Sequence, residues 1–182
     1  MMSNKIITYV FTSPCGGVGK TTMSVACAKA HALQGRRILY VNCDNFEKAQ
    51  DYFNGESNIE TTDAGVKIWE TIESEKDKTY DEMIVNMPFQ GNDTEFKMIK
   101  NADELILIST ATKEVNDRLK RCLEVLPPEE YEDRLSILYN NFDNEKSIMF
   151  DDFPGVVLGG APRIEEADMQ SVINVMTDMN FF

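Results

Sequence analysis

The sequence predicts a three-layer α/β fold in which a mostly parallel central sheet is flanked by helices. Three observations lead there. Short runs that are apolar at nearly every position recur along the chain, helix-period segments separate them, and a glycine-rich turn joins the first run to the first helix. A strand apolar on both sides belongs in a sheet covered on both faces, and right-handed helical crossovers make such strands parallel.

The first strand is IITYVF (6–11). Residues 20–34 then place Met23, Ala26, Cys27, Ala30 and Leu33 on one helical face, and Gly35 stops that helix. ILYVN (38–42) is the second strand, and the polar stretch 45–63 carries no clear pattern, as expected of a long loop beside a functional site. A helix is expected over 64–75, with Val66, Trp69 and Ile72 packing inward, followed by the strand EMIVNM (82–87) and a helix over 94–101. ELILIS (104–109), a helix over 114–126, the acid-rich PPEEYEDR (127–134) as a solvated loop and LSILYN (135–140) come next. GVVLGG (155–160) is the last strand, and a helix over 164–179 closes the chain with an apolar stripe of Met169, Val172, Ile173, Met176 and Met179. That stripe lacks the Lys/Arg face that anionic lipids require, so it is expected to cover the sheet. No repeat, low-complexity tract or linker interrupts the pattern, and a single domain over 1–182 is expected.

Composition narrows the function. The chain has 182 residues, 42% hydrophobic and 27% charged, a globular balance. No apolar run reaches the ~18 residues of a membrane span, and the first residues lack a secretory signal, so no integral membrane segment is expected and the location is cytoplasmic. Cys15, Cys27, Cys43 and Cys122 show no C-x-x-C pairing, which favours reduced thiols over a zinc or disulfide framework. The net charge of −13 is uneven: residues 1–50 carry +4 and residues 51–182 carry −17. Small anions are directed to the first third, whereas duplex DNA would be repelled by the rest; nonspecific DNA binding is disfavoured.

The chemistry concentrates in SPCGGVGKTT, residues 13–22, between the first strand and first helix. Gly16, Gly17 and Gly19 let backbone amides, including those of Cys15, Val18 and Thr22, turn inward on phosphate oxygens. Lys20 reaches the β/γ-phosphates and Thr21 offers a hydroxyl to Mg²⁺. Pro14 stands where the usual phosphate-loop pattern begins with glycine. ATP or ADP is the expected ligand.

SPCGGVGKTT, ILYVNCD, YDEMIVNMP and LGGAPR together resemble the ParA/MinD superfamily of deviant Walker A ATPases, and within it the TadZ/CpaE-like proteins that position pilus-assembly machinery. The resemblance covers nearly the whole chain. It implies a P-loop NTPase fold, ATP or ADP with Mg²⁺, a nucleotide-sandwiched homodimer and protein partners of a pilus or polar localisation system, with recruitment to the cell pole or to membrane-associated machinery. The receiver-like domain that often precedes the ATPase in that branch is not expected here.

Against the family pattern, the chain lacks acidic and basic groups around the γ-phosphate. Cys15 occupies the place of the signature lysine, either as a small residue that fits the loop or as a redox-active thiol. Asn42 replaces the first aspartate of the second motif; Asp44 keeps the second and is assigned, with Lys20, to catalysis, unless it only caps the following helix. Asn86 replaces the acid that holds the Mg²⁺ hydration shell, so of the metal positions Thr21, Asp44 and Asn86, one is degenerate and Mg²⁺ is expected to be held weakly. For the base, the resemblance indicates Asn140, flanked by Pro162 and Arg163; Asn141 is the neighbouring alternative, and a plain turn role remains open for both. His31 reads as a surface or half-buried side chain without catalytic role. Two functions fit: a weak ATPase whose nucleotide state governs assembly, and a nucleotide-binding scaffold that no longer hydrolyses. A DNA-partitioning ATPase fits the charge poorly.

Overall fold

The computed structural model describes residues 5–44, 49–53, 56–64, 70, 79–127, 131–143, 145–150, 152–162 and 169–178. Its sheet comprises β1 (Ile7–Ser13), β2 (Ile38–Asn42), β3 (Ile59–Asp63), β4 (Glu82–Pro88), β5 (Glu104–Ser109), β6 (Leu135–Phe142) and β7 (Val156–Pro162). Helices α1 (Lys20–Leu33), α2 (Asp93–Asn101), α3 (Lys113–Leu123) and α4 (Met169–Asp178) lie between or after them. The seven strands run in the order β3-β2-β4-β1-β5-β6-β7. Every neighbouring pair is parallel, as the sequence predicts.

Both faces of the sheet are covered along β1, β2, β4, β5 and β6, which is why those strands read as unbroken apolar runs, whereas Val156 and Val157 of the edge strand β7 are exposed. Along β1, β2, β4 and β5, alternate residues serve opposite cores. Val10, Leu39, Val41, Val85, Leu105 and Leu107 pack with Met98 and Ile99 of α2 and Leu119 and Leu123 of α3. Phe11, Ile38, Tyr40, Ile84, Ile106 and Ile108 pack with Met23, Ala26 and Ala30 of α1 and Val172 and Ile173 of α4. The last helix thus covers the sheet through Val172 and Ile173; its segment 164–168 and Met179 lie outside the described residues, as does nearly all of the predicted helix 64–75 with Val66, Trp69 and Ile72.

Helix starts are encoded locally. Asn92 caps α2, its side chain accepting from the Glu95 amide at 3.0 Å. The Glu95 carboxylate accepts in turn from the amides of Gln90, Gly91 and Asn92. Thr112 caps α3 through the Val115 amide at 3.4 Å.

Three expectations need correction. The stretch 45–63 is no featureless loop: it contains a 3-10 turn (Ala49–Tyr52) and the edge strand β3. Its sequence, IETTD, hides the strand because an edge position buries only Ile59 fully. Within 127–134, Tyr131 is buried with its hydroxyl donating to the Leu123 carbonyl, and Arg134 donates to the Ala102 and Lys100 carbonyls, so the acidic segment is anchored at its end. His31 is only 3% exposed. Its Nδ1 meets the Glu82 carboxylate and its Nε2 lies 3.6 Å from Cys27 Sγ. The acidic partner comes from β4, which helical spacing cannot reveal.

Candidate functional site

The strand order has a switch point at β1. The chain leaves β1 for β2 on one side, and later hops over β1 in passing from β4 to β5. Ligands of parallel α/β sheets sit outside the carboxyl ends of strands at such a point. The loop 14–19 lies there, between Ser13 and α1.

Two glycines shape the loop. Gly17 has φ 71° and Gly19 φ 85°, backbone that L side chains rarely adopt. Gly19 is also the N-cap of α1, so the amides of the first helical turn face outward without a side-chain cap. Lys20 is the first helical residue and is buried. Its ammonium donates to Asp44 Oδ2 and to Asn86 Oδ1, each at 3.1 Å. The predicted pair Lys20 and Asp44 is therefore brought together, and the Asp44 carboxylate faces the lysine.

Register assembles the rest. Asn86 of β4 stands opposite Asn42 of β2, and Asn42 opposite Asp63 of β3, so three polar side chains line up across adjacent strands. Asn86 Nδ2 donates to Asn42 Oδ1 at 3.0 Å and to Thr21 Oγ1 at 3.2 Å. Asn42 Nδ2 donates to the Asp44 carbonyl at 3.0 Å and to Asp63 Oδ1 at 3.2 Å, while Asn42 Oδ1 accepts from the Asp44 amide at 3.2 Å. Asp63 Oδ1 also accepts from the Ala49 amide at 3.0 Å. Asn42 and Asn86 are buried, and each bond satisfies a group that would be costly to leave unpaired.

Nothing in the sequence singles out Asp63. It lies in the segment without visible periodicity, and only the β2–β3 register gives it a role.

The base-side residues divide. Asn140 reaches the loop: its Nδ2 donates to the Val18 carbonyl at 2.9 Å. Asn141, the neighbouring alternative, is exposed in β6 with φ 55°, in the left-handed region. Pro162 closes β7 opposite Phe142, and Arg163 lies outside the described residues.

Cys15 sits half-buried at the start of the loop, its amide donating to Ser13 Oγ at 3.3 Å. Burial raises its thiol pKa, against the pull of the nearby Arg118 guanidinium. A thiol so shifted is protonated at neutral pH, which opposes the redox-active reading. Arg118, on α3 and ion-paired with Glu114 at 2.8 Å, is a cation beside the loop that sequence spacing gives no reason to select.

Among the described residues, no three His, Cys, Asp or Glu side chains cluster as a metal site, and no helix is long and apolar enough to cross a membrane. The arrangement offers an anion one ammonium and a set of loop amides at a helix N-terminus.

A family described as the CobQ/CobB/MinD/ParA nucleotide binding domain matches residues 9–178. No curated protein sequence matches the chain. Among solved structures, it is similar to the MinD cell division protein of Aquifex aeolicus, with 16% identity over 97% of this chain and 98% of that one and a TM-score of 0.71. The septum site-determining protein MinD of Pyrococcus horikoshii OT3, complexed with Mg-ADP, shows 17% identity over 97% and 96% of the two chains and a TM-score of 0.67. A plasmid partition protein of Borrelia burgdorferi B31 bound to AMPPNP shows 15% identity over 93% and 89%, with a TM-score of 0.67. At these identities the likeness is one of fold.

Proposed function

Because this chain belongs to the CobQ/CobB/MinD/ParA nucleotide-binding family, we propose that it binds ATP or ADP on the loop 15–22 and acts chiefly through what the bound nucleotide lets it assemble with. The observation that carries this reading is the placement of Lys20. It heads α1 beside an uncapped helix N-terminus and a loop held open by two glycines at positive φ. A phosphate entering there draws the ammonium from Asp44 and gains amide bonds, each charge-assisted contact being worth about 1.5–3 kcal/mol.

Hydrolysis in this reading is weak. Asp44 is the carboxylate available to orient a water near the terminal phosphate, and the neutral Asn42 and Asn86 stand at the other two acidic places of the resembled pattern. A non-hydrolysing scaffold is the second reading, favoured by the same two asparagines. The resemblance to TadZ/CpaE-like proteins, carried by SPCGGVG and GGAPR, suggests that the partners belong to a pilus or polar localisation system. With Cys15 in place of the deviant Walker A lysine, a homodimer of this chain would depend less on ATP than in the wider resembled family; sedimentation with and without ATP plus Mg²⁺ tests that. The net −17 of residues 51–182 opposes a DNA-partitioning role.

Calorimetry with ADP and ATP is the test. Lys20→Ala should weaken binding at least tenfold, the equivalent of about 1.4 kcal/mol. Unchanged affinity would end the phosphate-loop reading, and single-turnover hydrolysis separates the weak ATPase from the scaffold.

A further inference from the structure

A second cation reaches the loop from another element. β5 runs parallel beside β1, so the loop that follows Ser13 and the turn 110–112 that follows Ser109 emerge at the same edge of the sheet. Thr112 caps α3 there. Arg118 lies in the second turn of α3, yet its head returns toward that edge: helical side chains lean toward the N-terminus, and its partner Glu114, at 2.8 Å, stands in the first turn. From there the guanidinium faces the Cys15 thiol, near enough to donate a hydrogen bond to it.

Neither contact holds the arginine firmly. The side chains of Arg118 and Glu114 are 52% and 75% exposed, so solvent screens their attraction. Cys15 offers only a protonated sulfur, a weak acceptor. Lys20 is the contrast, buried and held by two oxygen acceptors. A triphosphate carries more negative charge than one ammonium balances, and its oxygens accept from a guanidinium through two parallel bonds, more strongly than a thiol or an exposed carboxylate does. Cys15 is also short, which leaves the guanidinium room at the place where the resembled family has a lysine. The charge missing from the loop is supplied beside it by α3.

We propose that Arg118 is the second phosphate cation of this site, leaving Glu114 and Cys15 for the terminal phosphate of a bound nucleoside triphosphate and so setting a preference for ATP over ADP. The proposal rests on the reading of loop 15–22 as a nucleotide site. A diphosphate needs the arginine less, because Lys20 already serves its last phosphate. Glu114 is then a positioning residue that keeps Arg118 at the loop while the site is empty.

The experiment is calorimetric titration of the full chain with ADP and with the non-hydrolysable AMPPNP, both in excess MgCl₂. Arg118→Ala should weaken AMPPNP binding about tenfold, the size of one charge-assisted contact, and ADP binding no more than about twofold. Arg118→Lys, which keeps the charge without the fork, should fall between the wild type and Arg118→Ala. Adding Cys15→Lys to Arg118→Ala returns a cation to the same place from the loop and should recover most of the lost AMPPNP affinity. Equal losses for the two nucleotides, or no loss for either, would overturn the proposal while leaving the nucleotide reading intact. A double variant no better than Arg118→Ala would give the arginine a role in loop structure alone and overturn the proposal as well. Absence of binding of both nucleotides to the wild type would overturn the nucleotide reading and the proposal with it.

Discussion

Asn140 lies directly over Gly19: a Cβ built on the glycine would come within 2.0 Å of Asn140 Nδ2, the atom that donates to the Val18 carbonyl. A strand-end side chain from β6 thus seals the bend of the phosphate loop against any larger residue. Gly19→Ala has two faults, this collision and a φ of 85°, the latter costing about 1–2 kcal/mol. Nucleotide affinity should fall at least about a hundredfold, since the loop amides cannot keep their direction. Adding Asn140→Ala removes the collision but not the φ fault, and takes away the bond to the Val18 carbonyl, so the double variant should recover only part of the loss. Calorimetry on the two variants checks both statements.

Asp44 competes with phosphate for Lys20. Their ion pair of 3.1 Å is partly open to solvent on the Asp44 side, and its value is correspondingly modest. Asp44→Asn should tighten ADP binding about three- to tenfold by releasing the ammonium. The same change should lower any single-turnover hydrolysis, because it removes the carboxylate assigned to water. Affinity and turnover moving together in the same direction would contradict this division of roles.

His31 and Glu82 form a buried pair, with Arg36 Nε 3.7 Å from the other Glu82 oxygen. His31→Ala leaves a buried carboxylate without its main partner and should cost about 3–5 kcal/mol in urea unfolding. Replacing both, as His31→Leu with Glu82→Leu, should cost much less, because no charge is then stranded. An additive double variant would show that packing alone accounts for the loss.

Stability should decline in alkali for a specific reason. Burial pushes the Cys43 thiol from 9.0 up to about 12 and the Cys122 thiol up to about 11. Between these values the unfolded chain has released protons that the folded chain retains, so this contribution is complete below pH 9.0 and is lost as pH rises toward the folded values. Thermal melting under reducing conditions should show a Tm that falls with pH above 9.0, and Cys43→Ala should flatten the slope.

The strands with hydrophobic neighbours on both faces are legible in the sequence, as is the loop, because adjacent residues carry both signals. The hidden features depend on partners distant in the chain. Asn42 meets Asp63 across 21 positions, and His31 meets Glu82 across 51, so neither contact leaves a local trace. β3 is hidden for a related reason: an edge strand of Thr and Asp needs no apolar alternation, only a paired neighbour. The asparagines at 42 and 86 show in the sequence as neutral residues, but the direction of their amides emerges from register alone.

Glu82 and Asn86 lie four residues apart on β4, on the face that Ile84 turns toward α1. One meets His31 in the last turn of the helix and the other meets Lys20 in the first. The 14-residue helix, about 21 Å long, is thereby bolted to a single strand at both ends, like a beam with two fixed supports. Such a beam neither slides nor tilts without breaking a buried polar joint. A phosphate that draws Lys20 from Asn86 would release the first support alone, while the joint of His31 with Glu82 still holds the far end.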